Sequence, residues 1–165
     1  MELNKLPENN HIQIVTYEPK YKEAFKSLNV EWISKYFEME EADFKVLDNP
    51  EKDILENGGR IYVALYRDEP VGVCGLKKLD PLGNVYEMVK MAVSPAAQGR
   101  SIGRLLGQTI INAAKELGAR KIYLEGNTKL EASINLYHKL GFQKITDRPS
   151  PYKRVNIQME LMLDR

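Results

Sequence analysis

Apolar residues along the chain follow two rhythms, every second position in some stretches and every third or fourth in others, and each switch marks an element. Ile12–Thr16 alternates as a strand. From Pro19 the pattern turns helical through Tyr21, Ala24, Phe25 and Leu28, and residues 31–47 read as a further helical stretch carrying Trp32, Tyr36, Phe37 and Phe44. Asn49-Pro50 starts a short helix that ends at Gly58-Gly59. Arg60–Tyr66 and residues 71–76 are β-rich runs joined by the polar turn Arg67-Asp68-Glu69-Pro70, and Pro81-Leu82-Gly83-Asn84 then leads into the strand Val85–Val93. The middle of the chain is therefore an antiparallel meander. Ile102, Leu105, Leu106, Thr109, Ile110, Ala113, Ala114 and Leu117 mark one buried helical face, with Gly118 as its C-cap. Residues 121–125 form a short buried strand, 130–140 a helix closed by Gly141, and 152–163 a last alternating strand. The order is β-α-α-β-β-β-α-β-α-β, with no internal repeat and no low-complexity segment.

Composition narrows the picture without deciding it. At 165 residues the chain fits one domain spanning 1–165, large enough to bury a core without staples. Lys and Arg number 24 against 23 Asp and Glu, a net charge of +1, so no global field favours nucleic acid or an acidic membrane. Cys74 is the single cysteine, which excludes an internal disulfide framework and fits a buried strand position in a reducing compartment. No run of about 18 apolar residues occurs, and MELNKLPENN lacks the apolar core of a signal peptide, so the expectation is a cytoplasmic protein. His11 and His138 do not combine with Cys74 and the scattered acids into any ligand spacing, so no metal site is expected.

The chemistry begins in residues 89–106, VKMAVSPAAQGRSIGRLL, which read as a strand, a glycine-bearing bend and the first turns of a helix. The first amides of a helix have no intrahelical partner and carry the positive end of the macrodipole, so phosphate fits there. Gly99 and Gly103 permit a tight bend and a close approach, and Arg100 and Arg104 can contact phosphate oxygens. Neither Gly-x-x-x-x-Gly-Lys-Ser/Thr nor Gly-x-Gly-x-x-Gly is present, which sets aside the nucleotide hydrolases and dinucleotide folds. Gln98-Gly99-Arg100-Ser101-Ile102-Gly103 instead resembles the Gln/Arg-x-x-Gly-x-Gly/Ala signature of the GNAT N-acetyltransferase superfamily, with Ser101 standing where that signature has its first glycine. Asn135-Leu136-Tyr137-His138-Lys139-Leu140-Gly141-Phe142 is similar to the Leu-Tyr-x-x-x-Gly-Phe segment of the same superfamily, in the right order and with a strand between the two.

This resemblance implies an α/β (α+β) GNAT fold. Its central sheet is mixed, mostly antiparallel and twisted, flanked by helices, with a splay between the strand ending at Val93 and the strand starting near Lys121. It implies acetyl-CoA as cosubstrate, its pyrophosphate on Gln98, Gly99, Arg100, Ser101, Ile102, Gly103 and Arg104. Main-chain groups near Met91 and Val93 would hold the pantetheine arm and polarise the thioester carbonyl. Tyr137 takes the role of general acid toward the thiolate, chemistry that a phenol near pKa 10 can perform. An alkyl ammonium must lose a proton before it attacks, and the alternation of Val85–Val93 sets Glu87 on one face with Val85, Val89, Met91 and Val93, where burial would lift its pKa toward that of a base.

Asn127, after the short strand, can bond the coenzyme or an ordered water, or simply cap a turn. The acceptor side points to Trp32, Tyr36 and residues 150–157, in which Arg154 is a planar fork suited to a carboxylate, or to pairing with a nearby acid. The expected activity is transfer of acetyl to a primary amine of a small molecule, such as an amino acid or a derivative, by direct attack in a ternary complex. A non-catalytic acyl-CoA-binding or sensing module and an enzyme acting on a peptide or protein amine are the alternatives. No nucleic-acid or membrane partner is expected, and a homodimer is left open. The acceptor and the acyl-chain preference are not legible in the sequence.

Overall fold

Seven strands build the sheet because the period-2 runs place β-branched and aromatic residues on both faces of a layer covered by helices from either side. A computed structural model describes residues 11–146 and 148–163; the polar N-terminal segment read above lies outside the described residues. The strands are β1 (Ile12–Thr16), β2 (Arg60–Tyr66), β3 (Glu69–Lys78), β4 (Val85–Val93), β5 (Lys121–Gly126), β6 (Gln143–Lys144) and β7 (Ile157–Met162), in the spatial order β1-β2-β3-β4-β5-β7-β6. Among the described residues, β4 and β5 are the one pair of neighbouring strands that runs parallel. Helices α1 (Lys22–Tyr36) and α2 (Glu41–Leu47) cover one face, and α3 (Ile102–Glu116) and α4 (Glu131–Leu140) the other. This is the expected architecture, a GNAT fold with a mixed sheet and helices on its flanks.

Each face has its own core. Phe25, Leu28, Leu47 and Ile54 pack on Ile61, Val63, Leu65 and Val73 from one side, while Leu106, Ile110, Ala114 and Phe142 pack with Ala64, Cys74, Leu76, Met88 and Met159 on the other. Gly107 lets α3 and α4 approach: a Cβ there would stand 2.5 Å from Leu140 Cδ1.

Besides β6, a two-residue strand on β7 that the pattern reading does not contain, three elements differ from that reading. The helical stretch expected over 31–47 is divided, because α1 runs on through Trp32 to Tyr36 and the chain extends at Phe37 (φ −145°, ψ 175°) before α2 begins. The polar turn of the first hairpin shrinks to Arg67-Asp68, both at positive φ, and Glu69 and Pro70 join β3. The last strand starts at Ile157 rather than 152, since Pro149 and Pro151 interrupt extended pairing and the side chains of Tyr152 and Arg154 are drawn toward α2.

A further difference shapes the site. Gly75 pairs with Val89 and Val73 with Ala92, so Lys90 and Met91 together face Cys74, a β-bulge with Lys90 at φ 55°. The bulge reverses the alternation. Val89 packs with the α1 side, but Met91 and Val93 pack with the α3 side, so Glu87 does not share one continuous face with them. The β4–β5 ladder also stops at Glu87–Tyr123, and the rest of β5 pairs with β7 alone. The two strands part there, as the splay expectation required.

Candidate active site

Where β4 and β5 separate, a cleft of about 750 Å³ opens, lined by β4 from Glu87 to Val93, the N-terminus of α3, the end of β5, α4 and part of α1. One wall is the start of α3. Its first backbone hydrogen bond runs from the Leu105 N–H to the Ser101 carbonyl at 3.0 Å, so the amides of Ile102, Gly103 and Arg104 come before the helical ladder. Ser101 makes no side-chain cap hydrogen bond and sits in the left-handed region at φ 62°. Gly99 has φ 82° with nothing within 4 Å of a Cβ, whereas a Cβ on Gly103 would stand 3.2 Å from Leu136 Cδ2.

Gln98, Gly99, Ser101, Ile102, Gly103 and Arg104 all line the cleft, and Arg100 is outside that lining. Uncapped amides, a positive helix end and an open glycine bend are the donor set a pyrophosphate needs, so the residues present fit the phosphates of acetyl-CoA. Along the adjoining wall lie Met91 and Val93; the Gln98 side chain donates to the Val93 carbonyl at 3.3 Å.

Tyr137 projects from α4 into the same cleft, its ring edge-on to Phe142 at 6.3 Å. Burial, with a smaller push from Cys74, raises its phenol to about 12, against a hydrogen bond with Ser133 that lowers it. The phenol therefore keeps its proton at neutral pH and is available as a donor.

Glu87 lines the cleft from β4. Burial pushes its carboxyl up to about 7, the charge of Glu125 adds to this, and Lys77, Lys90 and Arg148 oppose it. Glu125, on the neighbouring strand, accepts hydrogen bonds from Tyr123 at 2.8 Å and Ser150 at 2.9 Å. Their surroundings thus push the carboxyl toward neutral pH and the phenol away from it, the separation that a base and an acid in one site require.

Trp32 lines the cleft, and Tyr36 packs edge-on against it at 5.1 Å without lining the cleft itself; Phe37 takes that place. Asn127 lies on the lining, but its amide is engaged, donating to the Arg154 carbonyl at 2.6 Å and accepting from the Lys129 N–H at 2.8 Å, which is the turn-capping role. Of the two expectations for Arg154, a seat for an acceptor carboxylate or pairing with a nearby acid, the structure shows the pairing: its fork is closed on Asp43 with Nη1 at 2.8 Å and Nη2 at 2.6 Å.

Asp43, Lys90 and Glu125 escaped the sequence reading. Asp43 lies in a helical stretch whose buried side contains no other acid, and Lys90 is one residue inside a strand whose alternation gives no sign of a bulge. Glu125, a charge ending an otherwise apolar strand, was the one visible signal.

Among the described residues no group of three or more His, Cys, Asp or Glu stands close enough to hold a metal ion, and no helix is long and apolar enough to cross a membrane. Cys74 is buried, with its thiol pushed up by burial.

Residues 22–142 match the model of the acetyltransferase (GNAT) family. The chain is 33% identical over 89 residues to the uncharacterized N-acetyltransferase YjgM of Escherichia coli, a match covering 53% of each protein. Across three curated relatives the matched segment spans only 30 to 66% of the relative's length. A crystal structure of an acetyltransferase of the GNAT family from Staphylococcus aureus superposes with TM-score 0.84 at 26% identity, covering 93% of this chain and 99% of the other. The Salmonella typhimurium protein yncA, solved with its cofactor acetyl-CoA, superposes with TM-score 0.74 at 20% identity, covering 94% and 95%.

Proposed function

The chain belongs to the GNAT acetyltransferase family, and from that premise we propose that it transfers acetyl from acetyl-CoA to a primary amine of a small molecule by direct attack in a ternary complex. The observation that carries this reading is the convergence, in one cleft at the parting of β4 and β5, of an uncapped helix N-terminus, a carboxyl that titrates near 7 and a phenol that stays protonated. When bound, acetyl-CoA supplies an activated acyl group as a thioester.

The residues divide the remaining work. The amides of Ile102, Gly103 and Arg104, with Ser101 and the Gly99 bend, hold the phosphates. Met91 and Val93 contribute main-chain groups along the wall where β4 has left its partner, and a backbone N–H aimed at a developing oxyanion is worth about 3 kcal/mol in the transition state. Glu87 takes the proton that the acceptor ammonium must lose. Tyr137 gives its proton to the departing sulfur and regains one from solvent. Trp32 and Tyr152 flank the acceptor. Because Arg154 is closed on Asp43, the reading no longer rests on an acceptor carboxylate.

The test is release of free thiol from acetyl-CoA with a panel of amino acids, polyamines, aminoglycosides and peptide N-termini, alongside thermal shift with coenzyme A. Thiol release dependent on an amine is expected, together with a coenzyme-induced rise in Tm. A rise in Tm with no turnover of any amine favours a sensing module, and the absence of both signals overturns the proposal.

A further inference from the structure

One feature of the acceptor wall takes no part in that chemistry. Asp43 has no exposed side-chain surface, yet it is a carboxylate held between two cations that both line the cleft. Arg154 grips both its oxygens in the bidentate geometry a guanidinium makes with any carboxylate, and Lys90 Nζ adds a third contact at 2.6 Å. Glu40 accepts from Arg154 at 3.3 Å, and its own N–H donates to Asp43 at 2.9 Å. Tyr152 lies across the pair, its ring centroid 4.6 Å from Lys90 Nζ and 4.6 Å from Arg154 Cζ, and its hydroxyl 3.1 Å from Lys90.

The cationic donors of this wall are thus turned inward on the chain's own carboxylates. The other side chains lining this part of the cleft are of the opposite character: the carboxyls of Glu87 and Glu125 and the rings of Trp32, Phe37 and Tyr152. Such surroundings suit an ammonium and resist a second anion.

We infer that Asp43 is a specificity-determining residue, an internal carboxylate seated on Arg154 and Lys90 where an acceptor's carboxylate would sit, so that the cleft selects amines without a neighbouring carboxylate over amino acids. The choice of acceptor rests on the acetyltransferase reading of the cleft; the filled cation site does not.

Two measurements separate these levels. In D43A, sodium formate, the carboxylate alone, re-enters the vacated seat and raises Tm by about 3 °C at several times its dissociation constant, while wild type and D43A/R154L do not respond beyond a chloride control. No response in D43A, or an equal one in wild type, overturns the inference. D43N preserves the side chain's shape in case D43A does not fold, and is read by acceptor pairs that differ only in a carboxylate, such as pentane-1,5-diamine and lysine. Wild type favours the diamine by about tenfold or more in kcat/KM, and D43N narrows that ratio at least about fivefold. An unchanged ratio in D43N, or one near unity in wild type, refutes the specificity role. If no amine is acetylated at all, the enzyme reading fails while the formate result still decides the cation site.

Discussion

Replacing Glu87 by Gln should make the protein less active and more stable at the same pH, and both effects follow from one carboxyl. Glu87 ionises near 7 in the folded chain against 4.5 ordinarily, chiefly because burial disfavours its charge. The folded state therefore holds a proton that the unfolded state has already lost, and stability contributed by this group is full below about pH 4.5 and declines as pH rises through 7. At about 1.4 kcal/mol per pH unit the loss approaches about 3 kcal/mol, an upper figure for a side chain that reaches an open cleft. E87Q has no charge to bury, so its stability should be flat over that interval, and above pH 7.5 its Tm should exceed wild type by several degrees.

Catalysis has the opposite sign. About one wild-type molecule in ten has the base ionised at pH 6 and about nine in ten at pH 8, so kcat/KM should climb roughly tenfold across that interval and then level off. E87Q should lose about 10²-fold at pH 8 and show no limb near 7. The assays are thermal unfolding from pH 4.5 to 8.5 and thiol release over the same range with one acceptor. An E87Q protein with wild-type turnover at every pH, or with the same pH-dependence of Tm as wild type, would refute the reasoning at the corresponding step.

Three further outcomes are expected. Tyr137→Phe should lower kcat about 10²-fold while leaving the dissociation constant for coenzyme A within about threefold by calorimetry, since the ring stays and only the proton donor is removed. Ser101→Gly should raise Tm by about 2–4 °C, because a non-glycine residue at φ 62° costs roughly 1 kcal/mol that glycine avoids; an unchanged or lower Tm would show that the serine side chain stabilises its turn. Gly107→Ala should destabilise by about 1–2 kcal/mol in urea unfolding, because its Cβ would stand 2.5 Å from Leu140 Cδ1 and the Leu140 side chain must leave its packed position to make room.

The legible parts of the site were those written in local sequence. The helix that opens at Ile102 follows from its apolar spacing and from glycines that leave its N-terminus approachable, and Tyr137 was found because its helix carries a recognisable run ending at Gly141. Glu87 stood out as an acid in an apolar strand, and burial does raise its pKa. Met91 and Val93 were misplaced in its company, because one extra residue at Lys90 turns the alternation over and no local signal marks it. Which of its two readings Arg154 would take was undecided for a related reason. Its fork is a local property, but the acid that closes it lies 111 residues earlier.

By itself the sequence determined the order of the longer elements, the two glycine-bearing signatures and the chemical types available for acid, base and phosphate contacts, because hydrophobic period, turn chemistry and helix ends are short-range properties. Tertiary structure alone decided where β4 leaves β5, which residues line the resulting cleft, and that Lys90 and Arg154 are paired with Asp43 and Glu40. The physical reason is that a bulge is recognised only against the strand it is paired with. Likewise, a charge acts on a substrate only if no partner from elsewhere in the chain has already taken it.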